Sequence, residues 1–320
     1  MNKNDKDSYQ QIDYSIKIDS KKFPKLMQNT MQTLEEYDRN GDWIMYDGLA
    51  LGLESFAKSV KNLKYKFEDV IKYWQEQRLE SKEDYMNILE NFSVLFAYNS
   101  GAIENNKITY YDTKEIFSRG KVINYTGDLK TLIEINNQKD CYNYILSKVV
   151  LKSPISEEWI KKVHKILIKG IYDNISEKYD YVPEINGVVP LIDNVQNKMR
   201  KLIEKINSTK LKDNEEIIKM AAYAHNVIEK IQPFTSGNGR IGRVLVNYFL
   251  MINDLPPIII YNEDKKYYYL ALEKFTTKED ISLTVEFLKY EMAKTWEKTL
   301  DRKYQVNKLR KKKLCDYLEN

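Results

Sequence analysis

Apolar residues recur every three to four positions along most of the chain, which is the period of amphipathic helices. Residues from about 22 to 98 contain three such stretches, which predict an N-terminal helical region at 1–89. The stretch at 156–171 begins with Ser156 and two acidic residues, a common helix start, and Gly170 marks its predicted end. The pattern indicates a mainly α fold.

Residues 178–192 interrupt this period with aromatic and β-branched residues around Asn186 and Gly187. Pro183 and Pro190 lie on either side of that pair. Because Asn-Gly favours two-residue hairpin turns, the segment predicts a short β-hairpin.

Helical spacing then resumes. The stretch at 214–231 predicts a helix, "RIGRVLVNYFLMI" predicts another, and further helices are expected from 264 to about 315. The apolar face of the first is formed by Ile217, Ala221, Ala224, Ile228 and Ile231.

Composition excludes several classes of protein. The 320 residues are 42% hydrophobic and 31% charged, as in ordinary globular proteins, and 51 basic against 47 acidic residues give a net charge too small to indicate nucleic acid. The run "KLRKKK" belongs to a predicted C-terminal basic helix or tail at 296–320 and is interpreted as solvated. Neither a signal-peptide pattern nor an apolar run near 18 residues is evident, so we expect no membrane span.

Cysteine and histidine usage favours a cytoplasmic protein without a histidine-based metal site. Cys141 and Cys315 are far apart, and His164 and His225 are the only histidines. We interpret both histidines as structural.

The sequence "IQPFTSGNGRIGR" joins two predicted helices. The turn formed by Gly237, Asn238 and Gly239 leads into a helix N-terminus, where unpaired amides and the helix dipole attract anions. Arg240 and Arg243 share one face of the first turn, and each guanidinium can grip phosphate oxygens. The stretch predicts a site for a di- or triphosphate. The alternative is a tight turn whose arginines pair with surface acids.

Two other phosphate motifs do not fit. Gly237, Gly239 and Gly242 spell G-x-G-x-x-G, but a predicted helix precedes them, whereas the dinucleotide fingerprint requires a strand. A P-loop requires Lys-Ser/Thr after its last glycine, and none follows here.

The segment from Gln232 to Arg243 resembles the Fic family motif His-Pro-Phe-x-(Asp/Glu)-Gly-Asn-Gly-Arg-x-x-Arg. The resemblance extends over about 90–295, the expected Fic domain, with the predicted hairpin similar to the family's flap and "LPPIIIYNEDKKYYYLALEKF" similar to its following segment. It implies a Fic-type helical bundle that transfers AMP from ATP to a hydroxyl of a target protein.

The stretch "SGAIENN" is similar to the family's inhibitory signature, with Ser100, Glu104 and Asn105 in register. The resemblance implies that Glu104 pairs with Arg243 and blocks the terminal phosphates. The predicted inhibitory motif spans 100–105. The alternative for Glu104 is an ordinary solvated acid.

The resemblance assigns catalytic positions to Gln232, Asn238 and Arg240. It assigns nucleotide binding to Gly237, Asn238, Gly239, Arg240 and Arg243. Gln232 stands where the family has its His general base, and Ser236 where it has the Asp/Glu that holds Mg²⁺. An amide has no useful proton affinity, and a hydroxyl is a poor Mg²⁺ ligand. Losing a general base commonly lowers the rate by about 10² to 10⁴.

His225 is no substitute, because seven helical residues place it roughly 10 Å from Gln232 along the axis. Two independent departures favour natural divergence over a single engineered change. Three functions stay open: an impaired or altered transferase, a pseudoenzyme that responds to nucleotide and binds a partner protein, and, most weakly, DNA binding through the basic tail. Homo-oligomers remain possible.

Overall fold

The computed structural model describes residues 55–171, residue 181 and residues 195–318, with side chains up to residue 306. The chain divides into two compact units, residues 1–58 and 59–320, and the second contains every element described below. The predicted hairpin at 178–192 lies outside the described residues apart from Tyr181, and so do the predicted helices before residue 55.

The prediction of a mainly helical fold is confirmed. From residue 67 onward the helices are α1 (Phe67–Gln75), α2 (Lys82–Ile88), α3 (Glu90–Glu104), α4 (Tyr110–Arg119), α5 (Leu129–Val150), α6 (Glu157–Leu167), α7 (Val195–Ser208), α8 (Asn214–Ile231), α9 (Asn238–Ile252), α10 (Lys265–Lys278) and α11 (Ser282–Leu318), with a 3₁₀ turn at Asn262–Asp264. Helix α8 has the predicted bounds, and α6 begins where Ser156 caps it, since the Ser156 side chain accepts from the amide of Trp159.

Helix α9 is the central helix of this unit. Residues 240–251 are all buried, and the helix packs against α3, α5, α6 and α8. A helix that is enclosed on every side needs apolar residues around its whole circumference, which "RVLVNYFLMI" supplies.

Helices α8 and α9 form an antiparallel pair whose close approach depends on Gly242. A side-chain carbon at Gly242 would collide with the ring of His225 in α8. The His225 ring is fully buried and stacks on Tyr268 with centroids 5.5 Å apart. Burial, with the nearby Arg243 charge, lowers the pKa of His225 to about 3, so this histidine is neutral near pH 7. Its role here is packing, as the sequence suggested.

Helix α1 packs against α11, where the Trp74 and Trp296 rings meet edge to face at 5.4 Å. Helix α11 continues without a break through residue 296. The domain boundaries at 89/90 and 295/296 stay predictions. No helix within the described ranges is long and apolar enough to cross a membrane.

Candidate anion-binding site

The loop between α8 and α9 is set by two residues in the left-handed region. Gln232 ends α8 with φ 49° and ψ 60°, and Gly237 precedes α9 with φ 87°. Asn238 and Gly239 already lie in the first turn of α9. Of the three residues of the Gly-Asn-Gly turn, only Gly237 has a positive φ.

Asn238 clamps this loop. Its Nδ2 donates to the Phe234 carbonyl at 2.7 Å and to Gln232 Oε1 at 2.8 Å, and its Oδ1 accepts from the Phe234 amide at 2.9 Å. The side chain is buried, at 6% exposure. The amide uses both donors and its acceptor, so an aspartate could not replace it. Asn238 thus shapes the anion-binding turn.

Gln232 occupies the general-base position with its side chain fully engaged. Its Nε2 donates to the Glu229 carbonyl at 2.7 Å and to Glu229 Oε2 at 3.0 Å, while its Oε1 accepts from Asn238. This amide supplies hydrogen bonds and no proton acceptor.

Ser236 lies at the predicted metal position, and its backbone is held by His164 of α6. The His164 ring stacks on Phe234 with centroids 3.8 Å apart, and its Nε2 lies 3.1 Å from the Ser236 carbonyl. Burial lowers the pKa of His164 to about 4, so the neutral ring donates Nε2–H to that carbonyl.

The described residues do not fit a Mg²⁺ site. Ser236 offers a neutral hydroxyl in place of the carboxylate that Mg²⁺ prefers. No group of three His, Cys, Asp or Glu side chains that could hold a metal exists in the part of the chain that the structure covers. We assign no step to Mg²⁺.

Arg243 points from α9 toward the C-terminal end of α3 and is 2% exposed. Its Nε donates to Ser100 Oγ at 3.0 Å, its Nη2 to the Ser100 carbonyl at 2.9 Å and to Glu104 Oε1 at 2.9 Å. Its Nη1 donates to the Tyr268 hydroxyl of α10 at 3.3 Å. The ion pair that the resemblance implied between Glu104 and Arg243 is present in the structure.

The C-terminal end of α3 carries the three residues that the resemblance assigned to an inhibitory motif. Asn105 follows the last residue of the helix, and its Nδ2 donates to Glu134 Oε2 of α5 at 2.8 Å. Ser100 and Glu104 both accept hydrogen bonds from Arg243. The structure therefore places two of these residues on the arginine and one on the neighbouring helix.

Arg240 points elsewhere, so the two arginines do not reach the same neighbours. It lies beside Gly237, where a side-chain carbon would be 3.7 Å from Arg240 Nη2. Burial and then the charge of Arg240 lower the pKa of His164, and the same charge acts on the buried Cys141 of α5. Arg240 is 6% exposed, its buried Nε has no partner among the described residues, and its side chain forms no hydrogen bond or ion pair with them. A buried guanidinium without an acceptor is suited to an anion.

The sequence analysis missed two residues of this site. Glu229, one turn before Gln232, accepts from Gln232 and from the Tyr268 hydroxyl. The three-residue spacing on a helix was a usable signal for Glu229. Tyr268 lies 25 positions after Arg243, and no local signal connects it with the loop.

Residues 154–250, which contain α6 to α9 and the loop, match the family described as Fic/DOC family. The chain contains a Fic domain. The protein adenylyltransferase Fic of Drosophila persimilis is 28% identical over 309 residues, which cover 88% of this chain and 57% of that protein. The protein of the same description from Nematostella vectensis is 28% identical over 218 residues, covering 64% of this chain and 47% of that protein. The chain thus corresponds to about half the length of these relatives.

Solved structures support the Fic fold. A Fic domain-containing signaling protein from Bacteroides thetaiotaomicron aligns with a TM-score of 0.61 and 23% identity, over 72% of this chain and 93% of that chain. A fragment of Fic-1 from C. elegans aligns with a TM-score of 0.60 and 20% identity, over 87% of this chain and 81% of that chain. At these identities the likeness concerns the fold alone.

Proposed function

We propose that this Fic domain binds the phosphates of ATP and is related in activity to enzymes that transfer AMP to a protein hydroxyl, with transfer impaired. One observation carries the proposal: Arg240 is buried at the start of α9 without an acceptor among the described residues. A guanidinium cannot lose its charge near neutral pH, so a bound anion is the natural way to offset its burial. The backbone N–H groups of the turn at Gly237 and the dipole of α9 also attract an anion.

Arg243 supports a gated form of this binding. A guanidinium has five N–H groups. Nε and Nη2 use three of them on Ser100 and Glu104, and Nη1 uses one on Tyr268. Departure of Glu104 would leave one N–H on each terminal nitrogen, enough for a bidentate contact with phosphate. Glu104 and a terminal phosphate therefore compete for the same donors.

The transfer step explains the impairment. A target hydroxyl would form a bond to the α-phosphorus of ATP, the bond to pyrophosphate would break, and the hydroxyl proton would need an acceptor. Gln232 offers none, and Ser236 offers no anionic metal ligand. Binding and positioning contribute to phosphoryl chemistry on their own, so slow residual transfer agrees with this arrangement.

A second candidate is a pseudoenzyme that responds to nucleotide and holds a partner protein. The locked Gln232 side chain favours it, because hydrogen bonds to Asn238 and Glu229 give that residue a structural task. A protein as partner and the cytoplasm as location belong to both proposals.

Calorimetric titration with ATP tests the binding. We expect Glu104→Gln to bind ATP at least tenfold more tightly than the unaltered protein, because the gating charge is lost. Glu90→Gln, which changes an exposed acid in the first turn of the same helix, should leave the affinity unchanged. Incubation with ATP labelled at the α-phosphate and a lysate then separates the candidates: label on a protein favours the transferase, and binding without label favours the pseudoenzyme. Absence of ATP binding in both variants would contradict both.

A further inference from the structure

A second carboxylate lies at the phosphate-binding turn. Glu229, in the last turn of α8, is held by two donors that do not involve α3: the Tyr268 hydroxyl at 3.1 Å from Oε1 and Gln232 Nε2 at 3.0 Å from Oε2. Neither donor belongs to α3, the helix that carries Glu104, so Glu229 should keep its place when Glu104 departs.

The surroundings of Gly239 locate both carboxylates relative to Arg243. A side-chain carbon at Gly239 would lie 2.6 Å from Glu104 Oε1, 3.1 Å from Glu229 Oε1 and 3.1 Å from Arg243 Nη1. Glycine is needed at this point because the two acids and the guanidinium fill the space that a methyl group would use. Both carboxylates thus lie around Gly239, where Glu104 is paired with Arg243 and Glu229 interacts with the Arg243 charge without a direct hydrogen bond.

Burial raises the pKa of Glu229, and the charge of Glu104 adds to the rise, while Arg243 opposes it. The direction means that a negative charge on Glu229 is poorly solvated here. An anion that approached Gly239 would meet this charge in a region of low effective dielectric, where repulsion between like charges is stronger than in water. Glu104, at 41% exposure of its side chain, is more exposed to solvent than the partly buried Glu229.

We propose that Glu229 is a second acidic barrier to polyphosphate at this turn, independent of Glu104, and a determinant of which nucleotide the turn accepts. The inference rests on the proposed nucleotide binding. Release of Glu104 opens the site only in part, because Glu229 stays beside Gly239. Since repulsion increases with the charge of the ligand, Glu229 acts most strongly against ATP, less against ADP and least against AMP.

The test measures Kd values of ATP, ADP and AMP by calorimetry for Glu104→Gln and for Glu104→Gln with Glu229→Gln. We expect the added Glu229→Gln change to tighten ATP binding roughly tenfold, equal to about 1.4 kcal/mol, with a smaller gain for ADP and little for AMP. Glutamine keeps the length of Glu229 and one of its two accepting oxygens while removing its charge.

Two controls isolate the charge at this position. Glu229→Asp in the Glu104→Gln background keeps the charge and should stay within about twofold of its parent for ATP. Glu279→Gln removes a surface acid that is 78% exposed and pairs with Lys230, the residue after Glu229 in α8. This change should alter no affinity.

The outcomes separate the two proposals. If Glu104→Gln binds ATP and the added Glu229→Gln change alters nothing, or tightens all three nucleotides equally, the second barrier is wrong and nucleotide binding stands. If no variant binds any of the three nucleotides, nucleotide binding is wrong and the barrier falls with it. A circular dichroism spectrum that matches the parent establishes that each variant is folded.

Discussion

Arg240 and Arg243 lie one turn apart on α9, are both buried, and have opposite surroundings. Arg243 donates to Ser100, Glu104 and Tyr268, whereas Arg240 donates to no described residue. The difference teaches that a motif read as one anion-binding unit consists of two parts. The Arg243 side chain is engaged by Ser100, Glu104 and Tyr268, whereas Arg240 Nε has no partner among the described residues.

The largest expected effect tests whether phosphate binding is enough without a proton acceptor. Gln232→His and Ser236→Glu, added to Glu104→Gln, should raise transfer of labelled AMP about 10² to 10⁴-fold over Glu104→Gln alone, because a general base and a metal ligand are regained. The rate is measured with ATP labelled at the α-phosphate in the presence of Mg²⁺. Equal rates in the two proteins, with ATP bound by both, would show that the missing base does not limit this domain.

Stability separates the two arginines in opposite directions. Arg243→Met should lower the free energy of unfolding by about 3 kcal/mol, because the buried acceptors at Ser100 and Tyr268 lose their charged donor. Arg240→Met should leave it unchanged or raise it by up to about 2 kcal/mol, because a buried charge without a partner is removed. Urea unfolding without nucleotide measures both. A large loss with Arg240→Met would mean that this residue supports the fold rather than a ligand.

Nucleotide affinity sharpens the same comparison. In the Glu104→Gln background, Arg240→Met should weaken ATP binding about 100-fold, or about 2.7 kcal/mol, through loss of charge-assisted hydrogen bonds. The measurement is again calorimetry. A loss below threefold would show that Arg240 is not the anion-binding group.

Glu291 is also a buried ionisable residue, but unlike the two arginines it can become neutral by binding a proton. Glu291 is fully buried, its Oε1 accepts from the Tyr261 amide at 3.2 Å, and its Oε2 has no partner among the described residues. Burial, and then the charge of Asp264, raise the pKa of Glu291 well above its usual range, while Lys294 opposes the rise and Glu263 adds to it slightly.

Because the folded state holds this proton more tightly, stability is highest below the unfolded pKa, near 4.5, and falls as pH rises toward the folded pKa. Each pH unit in that window costs up to about 1.4 kcal/mol. Glu291→Gln should therefore gain stability relative to the unaltered protein between pH 5 and 7, as measured by urea unfolding. A difference between the two proteins that stays constant with pH would contradict this assignment.

The features that depend only on residues close together in the sequence could be predicted from it. The bounds of α8 follow from its apolar period, and the glycine at position 237 is explained by the left-handed backbone conformation before α9. The pair Glu104 and Arg243 came from the family resemblance, because residues 139 positions apart carry no local signal of contact.

What could not be predicted depends on packing between distant helices. The presence of Tyr268 at Arg243 depends on how α10 packs against α8, and the isolation of Arg240 depends on the neighbours that α5 and α6 supply. Glu229 was not identified from the sequence, because its role depends on burial and the sequence does not encode burial at a helix end directly. The sequence showed that Gln232 is no general base and that Ser236 is a poor Mg²⁺ ligand. It did not show which hydrogen bonds these two residues form.

The hydrogen bonds between Arg243 and Ser100 bear on how fast Glu104 can leave the arginine. Two of the three bonds that tie this arginine to α3 end on Ser100 and do not involve Glu104. The carboxylate can therefore swing away by a change of rotamer while the helix stays docked. Rotamer changes of exposed side chains take picoseconds to nanoseconds, so we expect nucleotide association to be governed by diffusional encounter and not by a slow isomerisation of the protein.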